Sequence, residues 1–563
     1  MGGGTAGLTL ATRLSQKFAD DCILVIEAGP DGRNEPGINI PGKRGSTFGS
    51  KYDWNFTTVP QTHVANRTFH LPRGHVLGGS SALNLMAWDR GSKADYDAWE
   101  ELGNPGWNWE NMYRSMLSVE NFTSSPDYGS EGVAKGGIIQ TLINRLRPEA
   151  AAAFIPAMER LSLEANLESL NGNPIGVARQ PTNLREEDYS RSYSTRFLEH
   201  ANDNIFLKLE TRVAKININE HKKAVGITLE DGTTFRTTKE VILCTGAFQS
   251  PGLLEHSGIG NREILTKAGI ETLYNLPGVG ENHQDHVRVQ ASFILRPGIL
   301  SFDRLTYNAT YAAEQLALWY ANETSEYDAT AGAFAFMPWA SVSGNLSANI
   351  LSLAQQSVNN SSSITLRKQL QHLSDNSVPQ LELILSNGYG GAKGYPKPSD
   401  PLYGAEMFAI SGGIMHPFSR GSIHISSVNI SVPPILNPNY LSSPVEFAAL
   451  LAVAKYIRQI ASTPPLADLW TSEYEPGAAV QSDEEWGNYV RTIFSSFDHP
   501  IGTCSMLPEK DGGVVSSELK VYGVEGLRVV DASIIPLAVS GHIQTAVYGI
   551  AERAAELVIW DWE

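Results

Sequence analysis

Two histidines near the end of the chain, His499 and His542, have the side chain best suited to proton transfer near neutral pH. Imidazole titrates close to physiological pH and is the most frequent general acid or base in proteins. Pro500 and Gly502 follow His499 and fix a turn that can present its ring, and a helix is predicted to begin near Ile543, directly after His542. The pair predicts acid–base chemistry, and the rest of the chain must bring the two side chains together.

The turn at residues 2–7, GGGTAG in one-letter code, has the GxGxxG spacing of a dinucleotide-binding turn. Gly2 permits the tight turn, Gly4 allows a pyrophosphate to approach the backbone, and Gly7 lets the following helix pack closely on the strand. The first turn of that helix offers free N–H groups and the positive end of its dipole to phosphate.

The segments after this turn fit the same motif. Near-helical spacing of apolar residues predicts a helix over about residues 6–17, and the apolar run Ile23–Ile26 predicts a buried parallel strand. Glu27 ends that strand, where a carboxylate can accept hydrogen bonds from both hydroxyls of an adenosine ribose. The strand that should precede Gly2 is missing from the sequence, and we expect the natural protein to have one.

Four further runs carry glycines, hydroxyl groups or histidines where a ligand could reach the backbone. In the first of them Gly78 and Gly79 are followed by small hydroxyl residues, so no bulky side chain covers the backbone N–H groups. The runs are residues 73–84, 246–260, 278–286 and 498–503, the last with residues 529–533 and 541–545 behind it.

These ordered motifs resemble the glucose–methanol–choline (GMC) oxidoreductases, the flavoenzyme family of glucose oxidase, aryl-alcohol oxidase and choline oxidase. The resemblance runs from Gly2 to the C-terminal helix, although residues 296–490 are similar to the family's variable substrate domain only loosely. The run at 246–260 fits one family signature fully. The run at 73–84 fits the other except at His75, where the family usually has Lys, Arg or Asn.

The resemblance implies FAD, with its adenosine end at the first turn and Glu27 and its isoalloxazine ring near residues 79–84, 531 and 542. Val213 matches the position whose backbone holds the adenine. Leu83 stands where some relatives tether the flavin through a histidine, so the resemblance implies non-covalent FAD. The residues implied to bind FAD are Gly2, Gly4, Thr5, Ala6, Gly7, Glu27, Arg73, Gly78, Gly79, Ser80, Asn84, Leu85, Met86, Ala87, Val213, Gly246, Asp531, Ala532, His542, Ile543 and Gln544.

The catalytic assignment follows from the same resemblance. His499 matches the family's catalytic base, and His542 matches a second active-site position that is His or Asn among relatives. The implied reaction oxidises a primary or secondary alcohol: His499 takes the hydroxyl proton, flavin N5 takes the hydride, and O2 or a quinone-like acceptor takes the electrons. The motifs do not decide whether the enzyme is an oxidase, which uses O2, or a dehydrogenase, which uses another acceptor. The alternative is a non-redox lyase or dehydrative cyclase of fungal secondary metabolism that retains FAD.

The implied fold class is α/β (α+β overall), with a Rossmann-like FAD-binding domain and an interleaved substrate-binding domain built on an antiparallel sheet with helices. A chain of 563 residues is also too long for a single ordinary core. We assign to the FAD-binding domain residues 1–45, 70–145, 200–295 and 495–563. We assign residues 46–69 to an irregular segment that covers the cofactor, and residues 146–199 and 296–494 to the substrate-binding domain.

Composition narrows the partners of the chain. Its net charge of -17 would repel the phosphates of nucleic acid, which is therefore not expected to bind. No apolar run reaches the roughly 20 residues of a membrane-spanning helix. No His or Cys cluster has the spacing of metal ligands, so no metal site is predicted. The expected partners are a small-molecule alcohol and an electron acceptor, and the sequence leaves the oligomeric state open.

Nine Asn-x-Ser/Thr sequons predict N-glycans, and therefore a secreted protein or one of the secretory pathway. Those between residues 308 and 360 lie in a polar, Ser-rich stretch, as a glycosylated surface would. The nine asparagines are Asn55, Asn66, Asn121, Asn308, Asn322, Asn345, Asn359, Asn360 and Asn429.

Two expectations concern the neighbours of the histidine pair. Asp498 is expected to point away from the His499 ring, because adjacent side chains in an extended segment diverge. Most other histidines are expected to be ordinary core or surface residues, among them His256, His283, His286 and His416.

Overall fold

The computed structural model describes residues 1–359 and 361–563 as a mixed helix and sheet protein, as the sequence predicts. Its α-helices are Thr5–Lys17, Pro36–Asn39, Lys93–Glu101, Trp109–Val119, Glu149–Arg160, Ser250–His256, Arg262–Ala268, Arg304–Tyr307, Ala309–Tyr320, Trp339–Val342, Gly344–Val358, Ile364–Ser374, Pro444–Ala461, Asp483–Ile493 and Gln544–Trp562. Short strand pairs are Phe56–Thr57 with His70–Leu71, Glu120–Phe122 with Ile139–Thr141, Ile259–Gly260 with Tyr274–Asn275, and Ser422–His424 with Ile435–Asn437.

The dinucleotide-binding half begins with the predicted helix and strand. Helix Thr5–Lys17 buries its apolar face, which includes Leu8, Leu10 and Leu14. Strand Ile23–Ile26 pairs in parallel with Ile205–Lys208, and Val241–Leu243 pairs in parallel with Leu527–Val529. Strands Val213–Ile218, Ala224–Leu229 and Thr234–Arg236 form an antiparallel sheet beside them.

Met1 and Gly2 join the two parallel strand pairs. The Met1 amino group donates to Ile242 O at 2.8 Å, and Cys244 N donates to Met1 O at 2.8 Å. On the other side, Gly2 N donates to Ile26 O at 2.8 Å. The turn at residues 2–7 therefore starts between two buried strands, where its N–H groups face the carboxyl ends of the sheet. The strand expected before Gly2 stays a prediction.

The second half is organised around a seven-stranded antiparallel sheet. Its strands run, in order across the sheet, Trp470–Glu475, Val287–Leu295, Met407–Ile414, Leu381–Ser386, Ala333–Met337 and Gly176–Ala178, with Ser495–Ser496 paired to Val287–Leu295. Helix Pro444–Ala461 packs one face of this sheet with Leu450, Val453 and Ile457, all buried. The other face turns toward the dinucleotide-binding half.

Strand Val287–Leu295 lies at the end of one range assigned to the FAD-binding domain. The sequence analysis placed residues 200–295 in the FAD-binding domain, but this strand pairs with Met407–Ile414 along its length and belongs to the seven-stranded sheet. Its buried residues share an apolar core with that sheet, whereas Val241–Leu243 shares the core of the dinucleotide-binding half. The assigned domain ranges stay a prediction.

In the part of the chain that the structure describes, none of the helices combines the length and the apolar character that crossing a bilayer requires.

Candidate active site

A cavity of about 530 Å³ lies between the dinucleotide-binding half and the antiparallel sheet. Its wall includes both predicted catalytic histidines, His499 and His542, although about 500 residues separate them from the turn at residues 2–7. It also includes all of the residues predicted to bind FAD except Gly7 and Gly78. The fold therefore brings the separate motifs to one cavity.

Gly7 and Gly78 support the wall instead of forming it. A Cβ at Gly7 would lie 1.9 Å from Gly2 O, so only glycine lets the first helix start this close to the turn. Gly78 has a φ of +98° and donates its N–H to Gly3 O at 2.7 Å, which ties the double-glycine loop to the first turn. Both glycines act through the backbone, and their direct contact with FAD stays a prediction.

The start of the first helix has the donor set that a pyrophosphate requires. Gly4 is its N-cap and no side chain caps it, so the first-turn N–H groups have no partner from the helix. Gly79 crosses directly over this point: a Cβ added to Gly79 would lie 2.7 Å from the Gly4 Cα. Two glycine backbones therefore meet where the phosphates of FAD would lie, and side chains are kept clear of them.

Glu27 lies beside the first turn, where the adenosine end of FAD is expected. The first turn, Glu27 and the double-glycine loop are called the cradle below. Its carboxylate accepts from Gly3 N at 2.8 Å and from Gly29 N at 2.7 Å. Burial raises the pKa of Glu27 to about 7, although the two backbone hydrogen bonds oppose the shift. A ribose that donates its hydroxyls to this carboxylate would favour the charged form, so the donor set fits the adenosine half of FAD.

Side chains at the opposite end of the cradle are already engaged with protein groups. Asn84 Nδ2 donates to Gln544 Oε1 at 2.9 Å, and Arg191 Nη1 donates to Asn84 Oδ1 at 2.6 Å. The Asp531 carboxylate accepts from Gly246 N at 2.9 Å and from Ser250 Oγ at 2.5 Å. These residues fix the loops, and their backbone groups remain to face a ring in the cavity.

The two predicted catalytic histidines meet in the structure. Their ring centroids are 4.7 Å apart with the planes at 83°, and Phe497 stacks on His499 at 5.8 Å. Asp285 holds the His499 segment by accepting from His499 N at 2.9 Å and from Ser496 Oγ at 2.5 Å. The arrangement places two imidazoles at one point of the cavity wall, as acid–base chemistry on a single substrate atom requires.

His286 is a neighbour of His499 that the sequence analysis did not single out. It was grouped with ordinary core or surface histidines, and its Nδ1 lies 3.0 Å from His499 Nδ1 in a hydrogen bond. Burial lowers the pKa of His286 to about 3, so its ring stays neutral. It thereby fixes one nitrogen of His499 and leaves Nε2 for the cavity. The only sequence signal was its place next to Asp285 in the run of residues 278–286.

The pKa of His499 is shifted in the direction that keeps its ring neutral. Burial lowers the pKa of His499 well below the usual range of imidazole, and the positive charge of His542 lowers it further. A neutral His499 can accept a proton at physiological pH.

His542 is held by two carboxylates that sequence reasoning missed. Asp89 accepts from His542 N at 2.7 Å and lies 2.6 Å from its Nδ1, and Glu382 Oε1 lies 3.4 Å from the same nitrogen. Burial alone would lower the pKa of His542, but the charges of Glu382 and Asp89 and the hydrogen bond to Asp89 outweigh it and raise the pKa above the usual range. Burial has the opposite effect on a carboxyl group and raises the pKa of Glu382. His542 therefore keeps its proton where His499 has lost it.

Asp498 has a φ of +63°, so the extended backbone that the sequence analysis assumed is absent, and the direction expected for its side chain stays a prediction. Its carboxylate lies 4.0 Å from Arg73 Nη2, and its backbone oxygen accepts from the same Nη2 at 2.6 Å. Burial raises the pKa of Asp498 to about 7, while the charge of Arg73 opposes the shift. Its role is to anchor Arg73 beside the histidine pair.

Two groups of described side chains have ligand-type atoms within 4.8 Å of one another: Asp95 with His372 and His416, and Asp89 with Glu382 and His542. In each group a histidine nitrogen is already hydrogen bonded to a carboxylate, at 2.8 Å for His416 with Asp95. The absence of a metal site stays a prediction.

The comparison of this chain with family profiles decides its family. Residues 1–288 match the N-terminal GMC oxidoreductase domain and residues 417–551 match the C-terminal one. The chain belongs to the GMC oxidoreductase family. The resemblance inferred from the motifs is confirmed, and the N-terminal match is to the FAD-binding domain of that family.

Individual relatives align with this chain over nearly its whole length. The GMC oxidoreductase family protein Mala s 12 of Malassezia sympodialis is 32% identical over 594 aligned positions, which cover 99% of this chain and 91% of the relative. An FAD-dependent oxidoreductase from Chaetomium thermophilum superposes with a TM-score of 0.89 at 28% identity, covering 100% of this chain and 98% of that one. A fungal aryl-alcohol oxidase superposes with a TM-score of 0.85 at 27% identity, with the same coverage.

Proposed function

We propose that this GMC oxidoreductase oxidises a primary or secondary alcohol, using non-covalent FAD and His499 as the general base. The observation that carries the proposal is the histidine pair with opposite pKa shifts at the wall of the dinucleotide cavity. A neutral base beside a cationic hydrogen-bond donor can remove a hydroxyl proton and stabilise the oxygen that loses it.

His499 takes the hydroxyl proton in this proposal. Its Nε2 is the free nitrogen, so the base must carry its own hydrogen on Nδ1 and donate it to His286 Nδ1 across 3.0 Å. The low pKa of His286 leaves its ring neutral, and the tautomer with its hydrogen on Nε2 accepts at Nδ1. His286 is therefore a positioning residue, which selects the tautomer of the base.

His542 donates a hydrogen bond to the same alcohol oxygen. Its Nδ1 is held by Asp89 at 2.6 Å, which leaves Nε2–H for the substrate. A fixed imidazolium favours the developing alkoxide more than the neutral alcohol, so its hydrogen bond strengthens as the proton leaves.

Bound FAD supplies the acceptor for the hydride of the carbinol carbon. The residues that would hold it are the first-turn N–H groups, Glu27, the double-glycine loop and the start of helix Gln544–Trp562. O2 or a quinone-like compound then receives the electrons. The similarity to an aryl-alcohol oxidase supports an alcohol substrate for this chain as well.

The test of this function is anaerobic mixing of the FAD-loaded protein with a panel of primary and secondary alcohols. We expect loss of the flavin absorbance with at least one of them, and its recovery on adding O2 or a quinone dye. Product formation without any change in flavin absorbance would transfer the assignment to the non-redox alternative, a lyase or dehydrative cyclase.

Non-covalent binding of FAD gives a prediction that needs no substrate. Leu83 lines the cavity at the position of a possible tether and packs in a small apolar cluster with Val76 and Tyr193. A leucine side chain cannot form a bond to the flavin. Acid precipitation should release all of the yellow flavin into the supernatant, and flavin that stays in the washed pellet would contradict the prediction.

We also propose that the protein passes through the secretory pathway and carries N-glycans. Seven of the eight described sequon asparagines are exposed, Asn121 is partly exposed, and Asn360 lies outside the described residues. Expressed in a glycosylating host, the protein should run as a heavy, diffuse band that an endoglycosidase sharpens. Asn308→Gln and Asn322→Gln should each lower the mass of the protein by that of one N-glycan. A band that endoglycosidase leaves unchanged would argue against secretion.

A further inference from the structure

Strand Val287–Leu295 presents a basic residue to the cavity. Successive residues of a strand point to opposite faces, and here Arg288 and Gln290 line the cavity while Val287, Val289 and Ala291 are buried on the other side. The neighbouring strand contributes Ser411 to the same wall, opposite Gln290 in the register. Arg288, Gln290 and Ser411 therefore form a polar patch where the antiparallel sheet borders the cavity.

Arg288 has only neutral partners among the described residues. Its Nε donates to Ser496 O at 3.2 Å, and its Nη1 donates to Gln290 Oε1 at 2.5 Å and to Ser411 Oγ at 3.3 Å. No described carboxylate lies within ion-pair distance of it, whereas buried Arg90 pairs with Glu120 at 2.7 Å. Burial lowers the pKa of Arg288, while the charges of Asp498 and Glu382, neither of which forms an ion pair with it, oppose the shift.

Two donors of this patch remain free for a ligand. Arg288 Nη2 and Gln290 Nε2 have no hydrogen-bond partner within the described ranges, and both residues border the cavity. The oxygen of the Gln290 amide is engaged with Arg288 and with Ser411, at 3.1 Å, so its nitrogen points elsewhere. The charge of Asp498 acts on both Arg73 and Arg288, but its carboxylate comes within ion-pair distance of Arg73 only, at 4.0 Å.

The patch lies about one aromatic ring away from the histidine pair. The Arg288 guanidinium carbon is 5.6 Å from the centre of the Phe497 ring. The same ring stacks on His499 at 5.8 Å and meets His542 edge-on at 6.0 Å. A substrate whose hydroxyl lies at the histidines can therefore reach Arg288 with a group on the far side of a six-membered ring.

We propose that Arg288, with Gln290, binds a carboxylate of the substrate, so that the alcohol this chain oxidises is a hydroxy acid with a ring-length spacer. This inference rests on the proposed alcohol oxidation and names its substrate class. A guanidinium binds a carboxylate through two parallel N–H···O bonds, which no neutral alcohol can replace. A cation that lacks a direct ion pair also gains a partner when such a substrate binds.

The test compares 4-(hydroxymethyl)benzoate with its methyl ester in the FAD-loaded protein. We expect a higher kcat/KM for the acid than for the ester. Arg288→Gln should lower kcat/KM for the acid by about 10- to 100-fold, the worth of a charged hydrogen bond, and change that of the ester by less than about threefold. For the acid, the kcat/KM of Arg288→Lys should lie between those of the unchanged protein and Arg288→Gln. Lysine keeps the positive charge but cannot donate two parallel hydrogen bonds. Arg296→Gln, at the exposed end of the same strand, is the control and should match the unchanged protein.

Binding of benzoate, which has no carbinol to oxidise, separates this inference from the proposed function. Benzoate should raise the melting temperature of the FAD-loaded protein, and Arg288→Gln should abolish that rise while benzamide gives none in either. If neither alcohol bleaches the flavin but benzoate binds through Arg288, the oxidation is wrong and the carboxylate site stands. If acid and ester react equally well, or Arg288→Gln slows both alike, the carboxylate site is wrong and the oxidation stands.

Discussion

Replacing His499 by alanine should slow anaerobic reduction of the bound flavin by an alcohol by about 10²- to 10⁴-fold, the usual contribution of a general base. The imidazole is neutral, faces the cavity with Nε2, and is the only group of the pair able to accept a proton. FAD should stay bound, because the turn at residues 2–7, Glu27 and the double-glycine loop make no contact with His499 in the hydrogen-bond network. Stopped-flow absorbance of the flavin measures the rate directly.

Two companion variants make this result specific. His221→Ala changes an exposed histidine on a turn remote from the cavity wall and should reduce flavin at the normal rate. His542→Ala should also slow reduction, and the double variant should lose less than the sum of the single free-energy losses, because both residues act on one oxygen. Reduction by the His499→Ala protein at the rate of the unchanged protein would falsify the assignment of the base.

The dinucleotide-binding half could be predicted from the sequence because its signals are local. The strand Ile23–Ile26 has the predicted bounds, and the first helix begins at Thr5, one residue before the prediction. Continuous apolar runs mark buried parallel strands, and a glycine turn marks the close approach of backbone to phosphate. For the same reason, nearly all of the residues predicted to bind FAD line the cavity.

The surroundings of the histidine pair could not be predicted in this way. Glu382 and Arg288 come from strands of the antiparallel sheet, and nothing in their flanking residues shows that those strands face His542 and His499. His286 looks like an ordinary histidine until the fold places it against His499, next to the Asp285 carboxylate that accepts from His499 N. These contacts depend on the packing of two sheets from distant parts of the chain, so local pattern carries no information about them.

Asp89→Asn should move the alkaline limit of flavin reduction to lower pH by at least about one unit, where one pKa unit corresponds to about 1.4 kcal/mol. Asp89 supplies both a charge and a hydrogen bond to His542 Nδ1, and both raise the pKa of that histidine. A raised pKa keeps His542 protonated at a pH where an ordinary histidine, with a pKa near about 6.5, is neutral. Without the Asp89 charge, the imidazolium is lost at lower pH, and activity that depends on it is lost with it.

The comparison with Glu382→Gln assigns this effect to Asp89. Glu382 lies farther from Nδ1, at 3.4 Å against 2.6 Å, and acts on His542 through its charge alone, whereas Asp89 adds a hydrogen bond. We therefore expect a smaller displacement of the alkaline limit in Glu382→Gln than in Asp89→Asn. The acid limit, set by His499, should stay in place in both variants, and the FAD content should be unchanged because neither carboxylate lines the cavity. Superimposable pH profiles for Asp89→Asn and the unchanged protein would show that His542 does not act as a cation, and the base would then work beside a neutral imidazole.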